Sequence, residues 1–134
     1  MVIDTSALLA ILQNEPERRR FNESIEAADS RVMSVATFVE VSIVIDSRYG
    51  AEGLRDLDLF IGQAGIEFAA VDVEQARVAC TAFSRFGKGR HAAALNYGDC
   101  FSYALAQVLG EPLLYKGDDF SRTDVTPCVP ASDS

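Results

Sequence analysis

Four short apolar runs divide this chain, and longer segments with helical patterns separate them. The runs lie at Met1–Ile3, Arg31–Met33, Ile66–Val71 and Pro112–Tyr115. Each is short and apolar, which is typical of a buried strand. Strands that alternate with helices favour a parallel sheet with helices packed on its faces. We therefore expect an α/β fold with a central, mostly parallel sheet of four to five strands, in which Val125–Val129 is the candidate fifth strand at an edge.

Helix signals mark the segments between the strands. Pro16 is a good first-turn residue, Asp72 is a favoured N-cap, and Gly50 and Gly110 are typical helix ends. The expected helices run from Ser6 to about Gln13, Pro16 to about Ala28, Val35 to Tyr49, Glu52 to Gly62, Asp72 to Phe86 and near Asp99 to Gly110. The chain has 134 residues, which fits one domain.

Composition restricts the environment of the protein. Hydrophobic residues make up 49% of the chain and charged residues 24%, as in globular proteins. No apolar run approaches the roughly 18 residues that span a bilayer, and the first residues lack the basic start of a signal peptide. The three cysteines, Cys80, Cys100 and Cys128, are scattered and form no CxxC pair. We expect reduced thiols in the cytoplasm, no zinc site and no membrane contact.

The chain is acidic, with a net charge of −8 and a pI of about 4.5. Proteins that bind nucleic acid usually carry a basic patch that contacts the phosphates. Taken alone, the charge therefore argues against a nucleic-acid partner.

Three acids are predicted to meet at one edge of the sheet. Parallel sheets bind ligands beyond the carboxyl ends of their strands. Asp4 follows the first strand, and Asp118 and Asp119 follow the last predicted core strand. Asp4 also has a structural interpretation, because Asp, Thr and Ser are favoured N-caps and Thr5 and Ser6 come next. The local sequence leaves both interpretations open.

Glu40 and Asp99 are two further acids in unusual surroundings. Glu40 lies in the run VATFVEVSIVI, where nearly every neighbour is apolar and Thr37 shares its helix face. An unpaired carboxylate is costly to bury, so Glu40 is either ion-paired with an arginine or part of a functional site. Asp99 lies in YGDCFSYAL at the first turn of a helix, where an acid also interacts favourably with the helix dipole.

Convergence of these acids favours a metal site. Carboxylates gathered at one edge repel one another unless a cation lies among them, and Mg²⁺ and Mn²⁺ prefer oxygen ligands. Other chemistries fit less well. His91 is the only histidine, which excludes a two-histidine nuclease mechanism, and no Walker A motif is present, because position 82 is Ala where the motif needs Gly. A DxD phosphatase would need an aspartate where Ser6 stands.

These segments resemble the PIN-domain ribonucleases, in particular the VapC toxins of bacterial type II toxin–antitoxin systems. The opening MVIDTSALLAIL is similar to the family's first motif and carries its first acid at Asp4. Glu40 matches the second acid, and the run GKGRHAAALNYGDCFSYALA carries the third at Asp99. Relatives often have a DxDF-like pair after the last core strand, whereas this chain has GDDF. Its neighbour Phe120 aligns Asp119 with the fourth acid, and Asp118 is the alternative.

The resemblance implies a PIN-like three-layer α/β/α domain over residues 1–130, with a short tail at 131–134. It also implies an Mg²⁺- or Mn²⁺-dependent endoribonuclease that hydrolyses RNA phosphodiester bonds and inhibits translation. Asp4 and Asp99 would be the metal ligands, and Glu40 and Asp119 would complete the catalytic set. Thr5 and Ser6 would hold Asp4 or contact the scissile phosphate, or act only as helix caps.

Within this resemblance the charge objection weakens, because acids around a metal count toward the net charge but are neutralised in the working site. Four basic residues are expected on loops near the same edge, at Lys88, Arg90, His91 and Lys116. They are candidate contacts for RNA phosphates.

The resemblance also implies a VapB-like antitoxin as a partner and a homodimer as the assembly. We expect the antitoxin to cover the early helices, where Leu8, Leu12, Phe21 and Ile25 offer more apolar side chains than a small core needs. Two alternatives stay open. One is a catalytically silent PIN module that acts only through partner binding, and the other is a metal-dependent phosphatase, which Ser6 disfavours.

Overall fold

Four short parallel strands form the centre of the computed structural model, which describes residues 1–128. The strands are β1 (Val2–Ile3), β2 (Val32–Ser34), β3 (Glu67–Ala69) and β4 (Leu113–Leu114). They lie in the order β3-β2-β1-β4, and every neighbouring pair is parallel. The predicted α/β class is confirmed, and the sheet is wholly parallel across these four strands.

Helices make each of the crossovers that parallel strands require. The helices are α1 (Thr5–Leu12), α2 (Arg18–Ala27), α3 (Val35–Ala64), α4 (Val73–Phe86) and α5 (Tyr97–Leu109), followed by a short 3-10 helix at Phe120–Arg122. α1 and α2 connect β1 to β2, α3 connects β2 to β3, and α4 and α5 connect β3 to β4. In the described part of the chain, no helix combines the length and apolarity needed to cross a membrane.

The two faces of the sheet are buried in separate hydrophobic clusters. Successive residues of a strand point to opposite faces. Ile3 and Leu114 therefore pack in the cluster formed with α1, α2 and α3, whereas Val2 and Leu113 pack in the cluster formed with α4 and α5. The result is the expected three-layer α/β/α arrangement, and it leaves the strand ends as the places where polar groups of the sheet meet water.

One expected strand needs correction. Val125–Val129 forms no strand within the described residues, where Pro127 makes a single parallel bridge to Leu113. The residues on either side of Pro127 make the hydrogen bonds of this bridge: the Leu113 N–H donates to the Thr126 carbonyl at 2.9 Å, and the Cys128 N–H donates to the Leu113 carbonyl at 3.1 Å. Val129 and the tail at 131–134 lie outside the described residues. α5 begins at Tyr97 after the N-cap Asn96, which agrees with the expected start near Asp99 and places Asp99 in the first turn.

The early helices are core elements and not a surplus apolar surface. Leu8, Phe21 and Ile25 are buried in the cluster between α1, α2 and α3, and Leu12 packs against its margin. The expectation that these side chains exceed what the core needs is wrong. Three helices share this face of the sheet, so more apolar side chains are required there than the sequence spacing suggested.

Gly50 breaks α3 into two segments, as the sequence predicts. Its φ of 66° and ψ of −154° lie in a region that is essentially restricted to glycine. The break divides the helix between Val35–Tyr49, which carries Glu40, and a second amphipathic segment that ends at Gly65 in a left-handed conformation. This kink lets one long connection follow the curvature of the core.

We expect Gly50→Ala to lower the free energy of unfolding by about 1–3 kcal/mol, because alanine is strained at this φ and ψ. No atom lies within 4 Å of the added Cβ, so a clash does not contribute. Gly62→Ala is the matched control, since Gly62 is helical and equally open. It should raise stability by about 0.5–1 kcal/mol. Urea unfolding measures both changes, and a Gly50→Ala variant as stable as the parent would contradict the strain argument.

Candidate active site

Four acids lie at the carboxyl edge of the sheet, each placed by a different element. Asp4 follows β1 and is the N-cap of α1, and Glu40 lies in the second turn of α3. Asp99 is the third residue of α5, and Asp119 follows β4 just before the 3-10 helix. Parallel topology thus brings together residues that lie 115 positions apart at most in the chain.

Asp4 is buried, with 2% of its surface exposed, and both of its carboxylate oxygens accept hydrogen bonds. Oδ2 accepts from the Ser6 backbone N–H at 3.0 Å and from Ser6 Oγ at 2.7 Å. Oδ1 accepts from Ser102 Oγ at 2.6 Å. The capping interpretation of Asp4 is confirmed. The bond to Ser102 goes beyond capping, because it joins Asp4 to a different helix.

Glu40 is held against the start of α5. Thr5 Oγ1 donates to Glu40 Oε1 at 2.6 Å. A Cβ on Gly98 would lie 2.1 Å from Glu40 Oε2, so only glycine leaves room for this carboxylate. Among residues 1–128, the ion pairs found include none to Glu40, so its interpretation as the partner of an arginine is wrong.

Asp99 joins helix capping to the acidic site. Its backbone N–H donates to Asn96 Oδ1 at 2.9 Å, and its Oδ2 accepts from the Asn96 N–H at 3.0 Å, which completes a capping box. Burial raises the pKa of Asp99 to about 7, the Asn96 N–H opposes this rise, and the charges of Asp4, Asp119 and Glu40 add to it. The charges of the other three acids therefore act on Asp99 at this edge of the sheet.

Asp119, and not Asp118, is the loop acid whose charge acts on Asp99. Asp118 instead contributes to the raised pKa of Tyr115, after the larger effect of burial. Its backbone carbonyl accepts from Ser121 Oγ at 2.6 Å, which turns the loop toward the 3-10 helix. Both acids are exposed. This arrangement favours Asp119 as the fourth acid of the set.

The donor chemistry of the pocket suits a hard divalent cation, because every candidate ligand is a carboxylate oxygen. Within residues 1–128, however, no three His, Cys, Asp or Glu side chains are close enough together to hold one ion as they stand. Asp4 and Glu40 are fixed by hydroxyl groups, whereas Asp99 is half-buried and Asp119 is exposed. A shared ion therefore requires side-chain rotation, and the exposed Asp119 is the least restrained of the four acids.

The basic residues near this edge differ in their availability. Lys88, Arg90 and His91 are exposed on the loop between α4 and α5. This loop is joined to the region after Asp119 through Arg122, whose guanidinium donates to the Ala92 carbonyl at 3.1 Å.

Lys116 is already engaged within the protein. Its ammonium pairs with Glu15 and, at 3.4 Å, with Glu17, while its backbone N–H donates to Ser6 Oγ at 2.9 Å. The proposed phosphate contacts of all four basic residues stay predictions, and for Lys116 such a contact would compete with two ion pairs.

Sequence reasoning missed three residues of this site. Asn96 could have been recognised from the sequence, because it is a favoured N-cap residue that lies three positions before an acid, which is the spacing of a capping box. Gly98 could be noticed only because glycine disfavours helices and the first turn of this helix has no local need for one. Ser102 is a polar residue on an apolar helix face, and no local pattern shows that it reaches Asp4.

The fold and the site together define a class of protein: a three-layer α/β/α domain with four carboxylates at the carboxyl edge of a parallel sheet, as in acidic-site nucleases. The chain belongs to the PIN domain family, whose model matches residues 1–125.

Curated relatives are similar along nearly the whole chain. Ribonuclease VapC30 of Mycobacterium tuberculosis is 51% identical over 125 residues, which cover 93% of this chain and 95% of that protein. Ribonuclease VapC of Mycolicibacterium smegmatis is 54% identical over 125 residues, covering 93% and 97%. The family resemblance is confirmed by these relatives.

Solved structures share the fold. VapC20 of Mycobacterium tuberculosis, a toxin that cleaves the sarcin–ricin loop, superposes with a TM-score of 0.77 at 15% identity, covering 96% of this chain and 98% of that one. A toxin–antitoxin complex from Klebsiella pneumoniae gives a TM-score of 0.66 at 17% identity, with 92% of each chain covered. At these identities the likeness concerns the fold alone.

We expect Asp99→Asn to stabilise the metal-free protein at pH 8 and to have a smaller effect at pH 5. The folded protein retains a proton on Asp99 up to about pH 7, whereas the unfolded chain releases it near pH 3.8. Stability is therefore lost between these pH values as pH rises. Asparagine keeps the oxygen that accepts from Asn96. The measurement is urea unfolding in EDTA at both pH values.

Asp118→Asn is the matched control, since it removes one acid from the same edge without touching a group that raises the pKa of Asp99. It should show no such dependence. An Asp99→Asn gain of the same size at pH 5 and pH 8 would contradict the assignment.

Proposed function

We propose that this protein is the toxin of a type II toxin–antitoxin pair and an endoribonuclease that uses Mg²⁺ or Mn²⁺ in the cytoplasm. It would hydrolyse RNA phosphodiester bonds and so inhibit translation. The observation that carries the proposal is the set of four interacting carboxylates at one sheet edge, Asp4, Glu40, Asp99 and Asp119. The relatives named as ribonucleases support it, because they are similar to this chain over 93% of its length.

When bound, the metal would lower the pKa of a water molecule and neutralise charge on the scissile phosphate. Asp4 and Asp99 would hold the metal through carboxylate oxygens. The surroundings of these two acids suit this role, since Asp4 is fixed by three hydrogen bonds and a cation beside Asp99 would offset the repulsion from the neighbouring acids.

Glu40 and Asp119 would orient the attacking water. Glu40 is fixed by Thr5, so its free oxygen has a defined direction beside Gly98. Asp119 is exposed to solvent, so it can accept a proton from a water molecule and return it to solvent. Neither role requires direct metal contact.

RNA would approach along the loop between α4 and α5. Lys88, Arg90 and His91 are exposed there and supply positive charge that offsets the acidic surface. Arg90 also lies over the Phe83 ring at 5.7 Å, which restricts its side chain. The net charge of −8 implies weak general affinity for RNA, so productive binding would depend on these few contacts together with the metal.

A VapB-like antitoxin with a basic, partly apolar segment is the proposed partner. A cavity of about 290 Å³ between α1 and α3 has an apolar floor that includes Leu12 and Ile45. Glu52 and Asp56 line the same cavity. An apolar side chain followed by lysine or arginine would match this surface. This cavity replaces, as the proposed antitoxin-binding surface, the early-helix surface that was expected from Leu8, Phe21 and Ile25.

A homodimer is also proposed, through the exposed face of the first segment of α3. Val35, Val39 and Ile43 are spaced four apart and form an apolar stripe on the surface, with Val39 55% and Ile43 61% exposed. A two-fold dimer buries the same stripe from both copies, which makes a continuous stripe self-complementary.

Val39→Asp should convert the dimer to a monomer, because two like charges would face each other near the two-fold axis. Leu59→Asp is the control, since Leu59 is 59% exposed on the second segment of α3. Sedimentation velocity measures the mass of each variant. A Val39→Asp protein that stays dimeric, or a parent protein that is monomeric at all concentrations, would contradict this interface.

The test of the proposed activity is Asp4→Asn. Asparagine is as good an N-cap as aspartate, and Ser102 can turn its hydroxyl from the amide toward Thr37, so the variant should fold with little loss of stability. A neutral amide is a poor Mg²⁺ ligand. We expect weak Mg²⁺ binding and little RNA cleavage. Asp4→Asn combined with Asp99→Asn should be hardly worse than either change, since both remove the same metal.

Cleavage of RNA by the parent protein should stop in EDTA and return with Mg²⁺ or Mn²⁺. Full cleavage by purified Asp4→Asn would show that Asp4 serves only as a helix cap. Absence of metal-dependent cleavage by the parent protein would favour the silent module, and turnover of small phosphate esters would favour the phosphatase.

A further inference from the structure

Ser102 is a buried hydroxyl at the centre of the site. It lies on α5, is 0% exposed, and places Oγ 2.6 Å from Asp4 Oδ1 and 3.2 Å from Thr37 Oγ1. Thr37 is itself 1% exposed on α3. The two hydroxyls thus connect two helices to the acid that follows β1, and no catalytic or binding role has yet been assigned to them.

The hydrogen bonds in this group have one consistent direction. A carboxylate oxygen only accepts, so the single proton of Ser102 Oγ is donated to Asp4. Ser102 is then the acceptor for Thr37, which must supply the proton in the bond between the two hydroxyls. The chain of donors runs from Thr37 to Ser102 to Asp4.

The same bonds decide which oxygen of Asp4 stays available. Oδ2 accepts two hydrogen bonds, both from Ser6, and this uses its two lone pairs. Oδ1 accepts only the bond from Ser102. The remaining acceptor position on the Asp4 carboxylate is therefore on Oδ1, and Ser102 fixes the direction in which it points.

We propose that Ser102 is a positioning residue that orients Asp4 Oδ1 as a single-oxygen ligand for a divalent cation, with Thr37 holding the Ser102 hydroxyl in place. This inference rests on the proposed metal-dependent function and adds the residue that sets ligand geometry. Ser102 does not touch RNA or the metal itself.

A purely structural role for Ser102 would have a different signature. The bond from Ser102 to Asp4 also ties α5 to the end of β1, so its loss lowers stability in either case. Only a positioning role changes the affinity of the folded protein for a cation. Metal affinity measured without RNA therefore separates the two, and it does not depend on catalysis.

The experiment is calorimetric titration of the folded protein with Mn²⁺, together with thermal melts in EDTA and in Mn²⁺. Ser102→Ala should weaken Mn²⁺ binding by about 10–100-fold, the usual effect of losing a residue that orients a metal ligand. Thr37→Val replaces the far hydroxyl with a methyl group of similar size and should weaken binding by less. The double variant should bind no more weakly than Ser102→Ala, because Thr37 acts only through Ser102.

Tyr103→Phe is the matched control. Tyr103 is the next residue on α5, is also buried, and donates its hydroxyl at 2.6 Å to Asp124, outside the acid set. This variant should lose stability without losing Mn²⁺ affinity. If Ser102→Ala proves too poorly folded to titrate, Thr37→Val provides the test, and its unchanged affinity would then overturn the proposal.

Failure of this inference and failure of the proposed function give different results. If the parent protein binds Mn²⁺ and Ser102→Ala binds it equally well, the positioning role is overturned while the metal site stands. Additive losses from Ser102→Ala and Thr37→Val would also overturn it, since they would show independent packing effects. If the parent protein and Asp4→Asn both fail to bind Mn²⁺, the metal-dependent function itself is overturned.

Discussion

The Asp4 carboxylate lies at the end of β1, an interior strand of the sheet, almost without exposure to water, and accepts three hydrogen bonds there. A carboxylate buried in this position would be costly without such partners. The hydroxyls of Ser6 and Ser102 offset this cost. Much of the geometry at this edge serves to give both oxygens of a buried acid a hydrogen-bond donor while one lone pair remains available.

Helix capping and the acidic site use the same residues. Asp4 caps α1, and Asp99 belongs to the capping box of α5. The caps fix where each helix begins, and thereby fix where each acid lies relative to the strands. The capping role and the proposed functional role of these acids are compatible. In each case the carboxylate that accepts a hydrogen bond from a helix N-terminal N–H also belongs to the acidic site.

α3 links the site to the surfaces proposed for partners. Its first segment carries Glu40 beside the site and an exposed apolar stripe on an adjacent face. After the break at Gly50, its second segment lines the cavity against α1 with Glu52 and Asp56. A partner bound at either surface would contact the helix that positions a site acid, which offers a direct physical route from assembly to activity.

The sequence by itself determined the α/β class, the four parallel strands, the helix break at Gly50 and the positions of the acids at strand and helix ends. These features follow from local periodicity, backbone preferences of glycine and capping chemistry, all of which act over a few residues. Tertiary structure alone decided the rest. Ser102 meets Asp4 across 98 positions, Glu40 needs the space left by Gly98, and Lys116 pairs with Glu15 across 101 positions. Such contacts depend on how helices pack against the sheet, and packing is set by the whole chain at once, so no local pattern records it.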